Sequence, residues 1–157
     1  MHTSKAGAVV RRSGEGERRW FFGGGIWTWK LSGAEAQDGL LVVEVELDGG
    51  KRTPLHTHPI VESMWVLAGS LRFRVGDDDH VLDTGDYIWV PSETPHAFLV
   101  ESEHARVLVI QPGCECEAFF RGASEPMDGS TEQTDFDLLA ASAVAHGGMT
   151  IVGPPPF

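Results

Sequence analysis

Three side chains able to bind a metal ion, those of His56, His58 and Glu62, fall within seven residues of the chain, and His96 follows further on. Histidines at positions i and i+2 of an extended segment share one face, with Cα atoms about 6.5–7 Å apart. That separation suits two neighbouring positions around one ion. Pro59 biases His58 toward an extended backbone, and Glu62 can return from the next turn as an oxygen ligand. The pattern predicts a fold that gathers these four side chains around one metal ion.

The ligand types indicate the class of ion. Three imidazoles and one carboxylate accept several first-row ions, so the sequence predicts one divalent transition metal (Fe, Ni, Co, Mn, Cu or Zn) without choosing among them. Such a set leaves one or two coordination positions for water, substrate or dioxygen. For the His-x-His pair taken alone, two surface histidines beside a proline would be the simpler interpretation.

The rest of the chain is typical of an all-β protein. Short segments that alternate apolar and polar residues recur about every 8–12 residues with turn residues between them, which favours an antiparallel sandwich or barrel. In Leu40–Leu47, for example, Val43, Val45 and Leu47 share one face and Glu44 and Glu46 the other.

The C-terminal region has a different pattern. Five apolar residues follow helical spacing: Phe136, Leu139, Ala140, Ala143 and Val144. With Thr134 or Asp135 as N-cap and Gly147-Gly148 as the stop, they predict one short amphipathic helix. We expect this helix to pack outside the barrel or on a partner, and Ile151-Val152 to add a short edge strand.

The net charge limits the classes of partner that we expect. At −11 it does not favour binding to nucleic acid or to an anionic membrane, so we expect a small-molecule substrate. No apolar run approaches the roughly 20 residues that span a bilayer, and the polar N-terminus is not a secretory signal. We therefore expect a cytoplasmic protein. Cys114 and Cys116 are too few for a disulfide framework, and in an extended segment they would face the same side.

The spacing of the motif residues resembles the cupin superfamily. Gly50, His56-x-His58, Glu62 and Gly69 match the first cupin motif at every position, and Gly85, Pro91 and His96 resemble the second. The resemblance implies a conical antiparallel β-barrel (the cupin or jelly-roll fold) with the short C-terminal α-helix added, and it carries over His56, His58, Glu62 and His96 as metal ligands. It divides the chain into a flexible N-terminal segment (1–19), the barrel (20–125), and a linker, helix and tail (126–157).

Two positions depart from the cupin pattern. The second motif usually has glycine two residues after its proline, where this chain has Glu93, and often has asparagine where this chain has Val100. Because glutamate accepts a positive φ poorly, we expect the turn at Glu93 to differ.

A weaker resemblance extends to small bacterial quercetin 2,3-dioxygenase-like cupins, through segments such as Trp20-Phe21-Phe22-Gly23 and Gln111-Pro112-Gly113. It implies a dioxygenase acting on an enolisable or hydroxylated aromatic substrate, with Glu62 as ligand and proton acceptor. A non-oxidative isomerase, cyclase, lyase or decarboxylase is an alternative, and a non-catalytic ligand-binding protein is another. The barrel edges and the added helix are compatible with a homodimer.

Aromatic residues supply the candidate pocket. Five lie in predicted strands, where core packing is the first expectation: Trp27, Trp29, Trp65, Trp89 and Phe98. Trp27 and Trp29 share a face that could line an apolar cavity for a flat ligand, and Phe98 is the third pocket candidate. The remaining histidines, His2, His80, His104 and His146, are expected on the surface.

Overall fold

The structure is a computed structural model that describes residues 7–157. His2 and the beginning of the predicted flexible segment lie outside these residues. Within these described residues, twelve strands form two antiparallel sheets, and two short helices lie toward the C-terminus. The larger sheet has seven strands and the smaller sheet has five. The expected all-β fold of cupin type is confirmed.

The strands of the larger sheet are β1 (Glu17–Phe21), β2 (Ile26–Leu31), β3 (Leu40–Asp48), β5 (Glu62–Ala68), β8 (Tyr87–Val90), β10 (His104–Pro112) and β11 (Ser124–Pro126). Those of the smaller sheet are β4 (Leu55–Thr57), β6 (Ser70–Val75), β7 (Asp78–Asp83), β9 (His96–Val100) and β12 (Thr150–Gly153). The strand order is β11-β1-β2-β3-β10-β5-β8 in the larger sheet and β12-β4-β9-β6-β7 in the smaller sheet. The predicted C-terminal edge strand is confirmed as β12.

Alternation along the strands builds the core between the sheets. In β3, Val43, Val45 and Leu47 are buried as predicted, and in β6 Leu71 and Phe73 are buried. Each side chain that turns inward leaves its neighbours facing outward, because the strand period is two residues.

That same alternation corrects two expectations. Trp65 and Trp89, predicted in the core, are 47% and 52% exposed. Met64 and Val66 occupy the inward face of β5, so Trp65 must face outward. Its indole N–H donates to the carbonyl of Gly85 at 3.0 Å, which gives an exposed ring a fixed position.

One motif glycine is required by its backbone. Gly69 lies between β5 and β6 with φ +87°, and a Cβ there would collide with the carbonyl oxygen of His104. Only glycine adopts this conformation without strain, which explains the position of the residue at the end of the first motif.

The C-terminal helix is confirmed as α2 (Phe136–His146). The Asp135 side chain accepts hydrogen bonds from the backbone N–H groups of Asp137 and Leu138, and Gly147 follows the last turn. A second helix, α1 (Glu117–Gly122), was not predicted, and the extended conformation expected around Cys114 and Cys116 is wrong, because Cys116 is the N-cap of α1. Both cysteines are free. Within residues 7–157, no helix is long and apolar enough to cross a membrane.

The cap of α2 gives a stability prediction. Asp135→Ala removes two hydrogen bonds to the helix N-terminus, so we expect the free energy of unfolding to fall by about 1 kcal/mol in chemical denaturation. Asp128→Ala is the matched control, since Asp128 is an exposed carboxylate outside the helix. Equal stability of the two variants would contradict the capping role.

Candidate metal centre

The two sheets bring the predicted ligands together. His56 on β4 pairs directly with His96 on β9 in the smaller sheet, and Glu62 begins β5 in the larger sheet. His58 lies in the loop between β4 and β5. Ligand atoms of His56, His58 and His96 all lie within 4.8 Å of one another, and all three rings are buried. Glu62 Oε2 is 3.3 Å from Nε2 of His58 and from Nε2 of His96.

Backbone carbonyls orient the three imidazoles. Nδ1 of His56 lies 2.8 Å from the carbonyl oxygen of Pro54, Nδ1 of His58 lies 2.7 Å from that of Ile60, and Nδ1 of His96 lies 2.8 Å from that of Thr94. A carbonyl only accepts, so each Nδ1 carries the ring proton and donates it. Each Nε2 is then left with a lone pair for either a proton or a metal ion.

The donor set therefore fits a divalent metal ion. With Nε2 deprotonated, each of the three imidazoles offers a lone pair, and an oxygen of Glu62 lies 3.3 Å from two of these nitrogens. Histidine ligands with the other ring nitrogen held by a carbonyl are the usual arrangement in metal sites. The residues that would hold the ion are His56, His58, His96 and Glu62.

Burial and mutual contact set the charge states. Burial, and next the adjacent His96, lower the pKa of His56 to about 3, so the His56 ring is neutral at ordinary pH. Burial alone would raise the pKa of Glu62, but hydrogen bonds to His58 and His96 outweigh it and hold that pKa well below its usual range. Burial opposes the charged form of His58, yet the hydrogen bond to Glu62 raises its pKa. The carboxylate is thus ionised, ready to neutralise a cation.

A buried amide completes the surroundings of the carboxylate. Gln111 on β10 donates from Nε2 to Oε1 of Glu62 at 2.9 Å, and Gln111 is fully buried. Sequence reasoning missed this residue, although one signal was present. The inward positions of β10 are Ala105, Val107, Val109 and Gln111, so Gln111 is the polar exception on an apolar face.

An apolar chamber opens beside the metal ligands. His56, Glu62 and His96 line one side of it. Most of its wall is apolar: Phe21, Trp27, Pro54, Met64, Phe98, Val109, Phe119, Phe120, Leu139, Met149 and Ile151. Of the three pocket candidates, Trp27 and Phe98 line the chamber. Trp29 is buried elsewhere, with the Arg121 guanidinium 4.8 Å from its ring centre.

The turn at Glu93 keeps the conformation that a glycine would take. Glu93 has φ +58°, and its N–H donates to the carbonyl of His58 at 2.8 Å. The expectation of a different turn is wrong, because this hydrogen bond holds a non-glycine residue in the left-handed region. It also ties the second motif to the first beside a predicted ligand. His80, His104 and His146 are exposed, as expected.

Comparisons with known proteins agree with this geometry. Residues 43–111 match the model of the cupin domain family, and the two-sheet fold with its histidine cluster is that of a cupin. The chain belongs to the cupin superfamily. A solved RmlC-like cupin from Shewanella frigidimarina NCIMB 400 superposes with a TM-score of 0.60 at 17% identity, covering 69% of this cupin and 93% of that chain.

Two curated proteins are similar in sequence. The cupin is 34% identical over 98 residues to quercetin 2,3-dioxygenase of Bacillus subtilis (strain 168), covering 62% of this chain and 29% of that protein. It is 33% identical over 82 residues to dimethylsulfoniopropionate lyase DddQ of Ruegeria pomeroyi (strain ATCC 700808 / DSM 15171 / DSS-3), covering 52% and 41%. The matched region spans less than half the length of each of these relatives.

The ligand assignment predicts loss of metal binding. His56→Ala and His96→Ala each remove one imidazole, so we expect the affinity for Zn²⁺ or Co²⁺ to fall by more than the roughly 10–100-fold that follows loss of a residue that only orients a ligand. Competition titration with a chromophoric chelator measures the affinity. His104→Ala is the control, because that imidazole is 71% exposed beside Asp48. Wild-type affinity in the first two variants would refute the assignment.

The left-handed residue gives a second prediction. Glu93→Gly relieves the strain of a side chain at φ +58°, so we expect the free energy of unfolding to rise by up to about 1 kcal/mol. Thermal denaturation measures the change. Glu93→Ala removes the same carboxylate but keeps Cβ, and should bring no such gain. If alanine stabilises as much as glycine, backbone strain is not the cause.

Proposed function

We propose that this cupin is a metal-dependent dioxygenase acting on a small enolisable or hydroxylated aromatic substrate of flavonol-like chemistry. The observation that supports this most is the apolar chamber, with five Phe and Trp rings in its wall, beside His56, Glu62 and His96. The similarity to a quercetin 2,3-dioxygenase points the same way.

The chamber wall favours a flat, uncharged body. Phe21, Trp27 and Phe120 form a cluster of mutually tilted rings. The ring centres are 4.5 Å apart between Phe21 and Trp27 and 4.6 Å apart between Trp27 and Phe120. Aromatic walls bind flat apolar ligands by area and by offset or edge contacts. None of the described lining residues is lysine or arginine, so a substrate with several anionic groups would find no cationic side chain there.

The polar end of the chamber sets the orientation of the substrate. Thr53, His56, Glu62 and His96 are the lining residues with polar side chains, and three of them belong to the proposed metal centre. A divalent ion held there would supply Lewis-acid activation of a substrate oxygen and a binding position for dioxygen. The aromatic body then lies against the apolar wall, with its oxygen substituents toward the metal centre.

Glu62 is the residue that moves a proton. Its carboxylate is ionised, and Oε2 is the oxygen that faces the histidines. A substrate hydroxyl that approaches the centre can transfer its proton to Oε2, which leaves an electron-rich enolate or phenolate oxygen. Both atoms of dioxygen then enter the organic product, so no further reductant is needed. The apolar walls exclude water from this step.

A non-oxidative reaction is the second candidate. The similarity to dimethylsulfoniopropionate lyase DddQ favours it, because the same carboxylate could remove a proton in an elimination, isomerisation, cyclisation or decarboxylation. Oxygen-electrode assays with a flavonol separate the two. Uptake of one dioxygen per substrate supports the dioxygenase, and product formation under anaerobic conditions supports the alternative. Binding without any product would mean a non-catalytic ligand-binding cupin.

The proton-acceptor role gives a kinetic prediction. Glu62→Gln keeps the shape of the side chain but removes its basicity, so we expect kcat to fall by about 10²–10⁴-fold when both proteins are compared at full metal occupancy. Steady-state oxygen uptake measures kcat. Glu103→Gln makes the same chemical change at a carboxylate whose side chain is 92% exposed and should retain wild-type turnover. Unchanged turnover in Glu62→Gln would remove the acceptor role from Glu62.

A further inference from the structure

We propose that Gln111 is a positioning residue for Glu62. The amide of Gln111 holds Oε1 of the carboxylate, so that Oε2 is the oxygen presented to the imidazoles of His58 and His96. The inference rests on the proposed metal centre. It assigns to a residue outside the chamber wall the task of fixing how the carboxylate ligand binds.

Strand pairing places the two side chains together. β10 and β5 are antiparallel neighbours with Ile110 opposite Ser63, and one step further along each strand come Gln111 and Glu62. Both then turn to the inner face, where Gln111 is 0% and Glu62 7% exposed. The contact is therefore built into two paired strands of the larger sheet and does not depend on a mobile loop.

The two carboxylate oxygens have different partners. Oε1 accepts from Gln111 Nε2 at 2.9 Å, whereas Oε2 lies 3.3 Å from Nε2 of His58 and from Nε2 of His96. This division leaves Oε2 free to act as a single-oxygen ligand. A carboxylate without the amide could turn to offer both oxygens, which would occupy a position needed by substrate or dioxygen.

The direction of the amide follows from its contact with Glu62, in which Gln111 Nε2 lies 2.9 Å from Oε1. A carboxylate that binds a metal ion through Oε2 offers only acceptor oxygens. If the amide were reversed, the carbonyl oxygen of Gln111 would face Oε1 and two acceptors would meet. Within residues 7–157 the oxygen of the Gln111 amide accepts no hydrogen bond, so the bond to Glu62 is the one hydrogen bond of this buried side chain. The amide serves the carboxylate and no other group.

The anchored oxygen also bears on the proposed reaction. Transfer of a proton from a substrate hydroxyl to Oε2 breaks one O–H bond and forms another, and it requires Oε2 to be in a defined place. Because Gln111, on β10, holds Oε1 by a hydrogen bond, Oε2 stays in place both as a ligand and as a proton acceptor. Gln111 does not line the chamber, so it acts on turnover through Glu62 and not through the substrate.

The test compares Gln111→Met with the wild-type protein, using Co²⁺ alone as the probe. Methionine has a similar volume and no hydrogen-bond donor, and Gln111→Asn is the second variant, whose amide is one methylene too short to reach Glu62. Ser142→Ala is the matched control, because it removes a buried hydrogen bond, 2.8 Å long, to the Phe119 carbonyl and none to Glu62. Circular dichroism establishes folding before metal is added.

Two readouts follow. We expect Co²⁺ affinity to fall by about 10–100-fold in both Gln111 variants and to be unchanged in Ser142→Ala. Infrared difference spectra on Co²⁺ addition report the splitting of the Glu62 carboxylate stretches, assigned by their loss in Glu62→Gln. A wide splitting, typical of a single-oxygen ligand, is expected in the wild type, and a narrower one in the variants.

The outcomes separate the two proposals. If the wild type binds Co²⁺ but the Gln111 variants keep its affinity and its carboxylate splitting, the positioning role is overturned and the metal centre stands. If the wild type binds no Co²⁺, the proposed metal centre itself fails. Should Gln111→Met not fold, Gln111→Asn decides. If neither folds, Gln111 is a structural residue and the proposal is overturned.

Discussion

The buried carboxylate of Glu62 is the constraint on which the rest of the site depends. An ionised group in an apolar interior costs several kcal/mol unless it is paired and hydrogen-bonded. Here Oε1 accepts from Gln111, and Oε2 lies beside His58 and His96. Meeting that requirement takes residues from both sheets and from the loop between β4 and β5. The contacts of Glu62 with Gln111, His58 and His96 therefore connect the two sheets at this end of the barrel.

The chamber and the metal centre come from different parts of the chain. All four proposed ligands and Gln111 lie within residues 43–111, the part that matches the cupin domain model. Much of the chamber wall comes from outside that range, from Phe21 and Trp27 before it and from Phe119, Phe120, Leu139, Met149 and Ile151 after it. Seven of the fifteen residues that line the chamber therefore lie in segments that the domain match does not cover.

The motif residues were the part of the site that sequence reasoning could find. The spacing of these residues matches the two cupin motifs, so the sequence alone could predict that their side chains lie close together: His56, His58, Glu62 and His96. The C-terminal helix was equally readable, because the Asp135 cap and the Gly147 stop are local signals. Leu139 on α2 lines one side of the chamber, and this could not be predicted from the sequence, because it depends on how α2 packs against α1.

Other features needed the folded structure because they depend on long-range contacts. Glu93 tolerates φ +58° while its N–H is bonded to the His58 carbonyl, 35 positions earlier in the chain. Trp65 and Trp89 have strand-forming side chains that suit either face of a sheet, so propensity could not tell exposure from burial. Alternation along β2 places Trp27 and Trp29 on the same face. The sequence pattern alone therefore could not show that Trp27 lines the chamber while Trp29 packs beside Arg121.

The most direct test of the proposed metal centre is an element-specific anomalous difference map from crystals of the protein grown with one divalent metal. We expect a single strong peak about 2.0–2.2 Å from Nε2 of His56, His58 and His96 and from one oxygen of Glu62. A map with no peak at this position, in crystals whose protein binds the metal elsewhere or not at all, would contradict it.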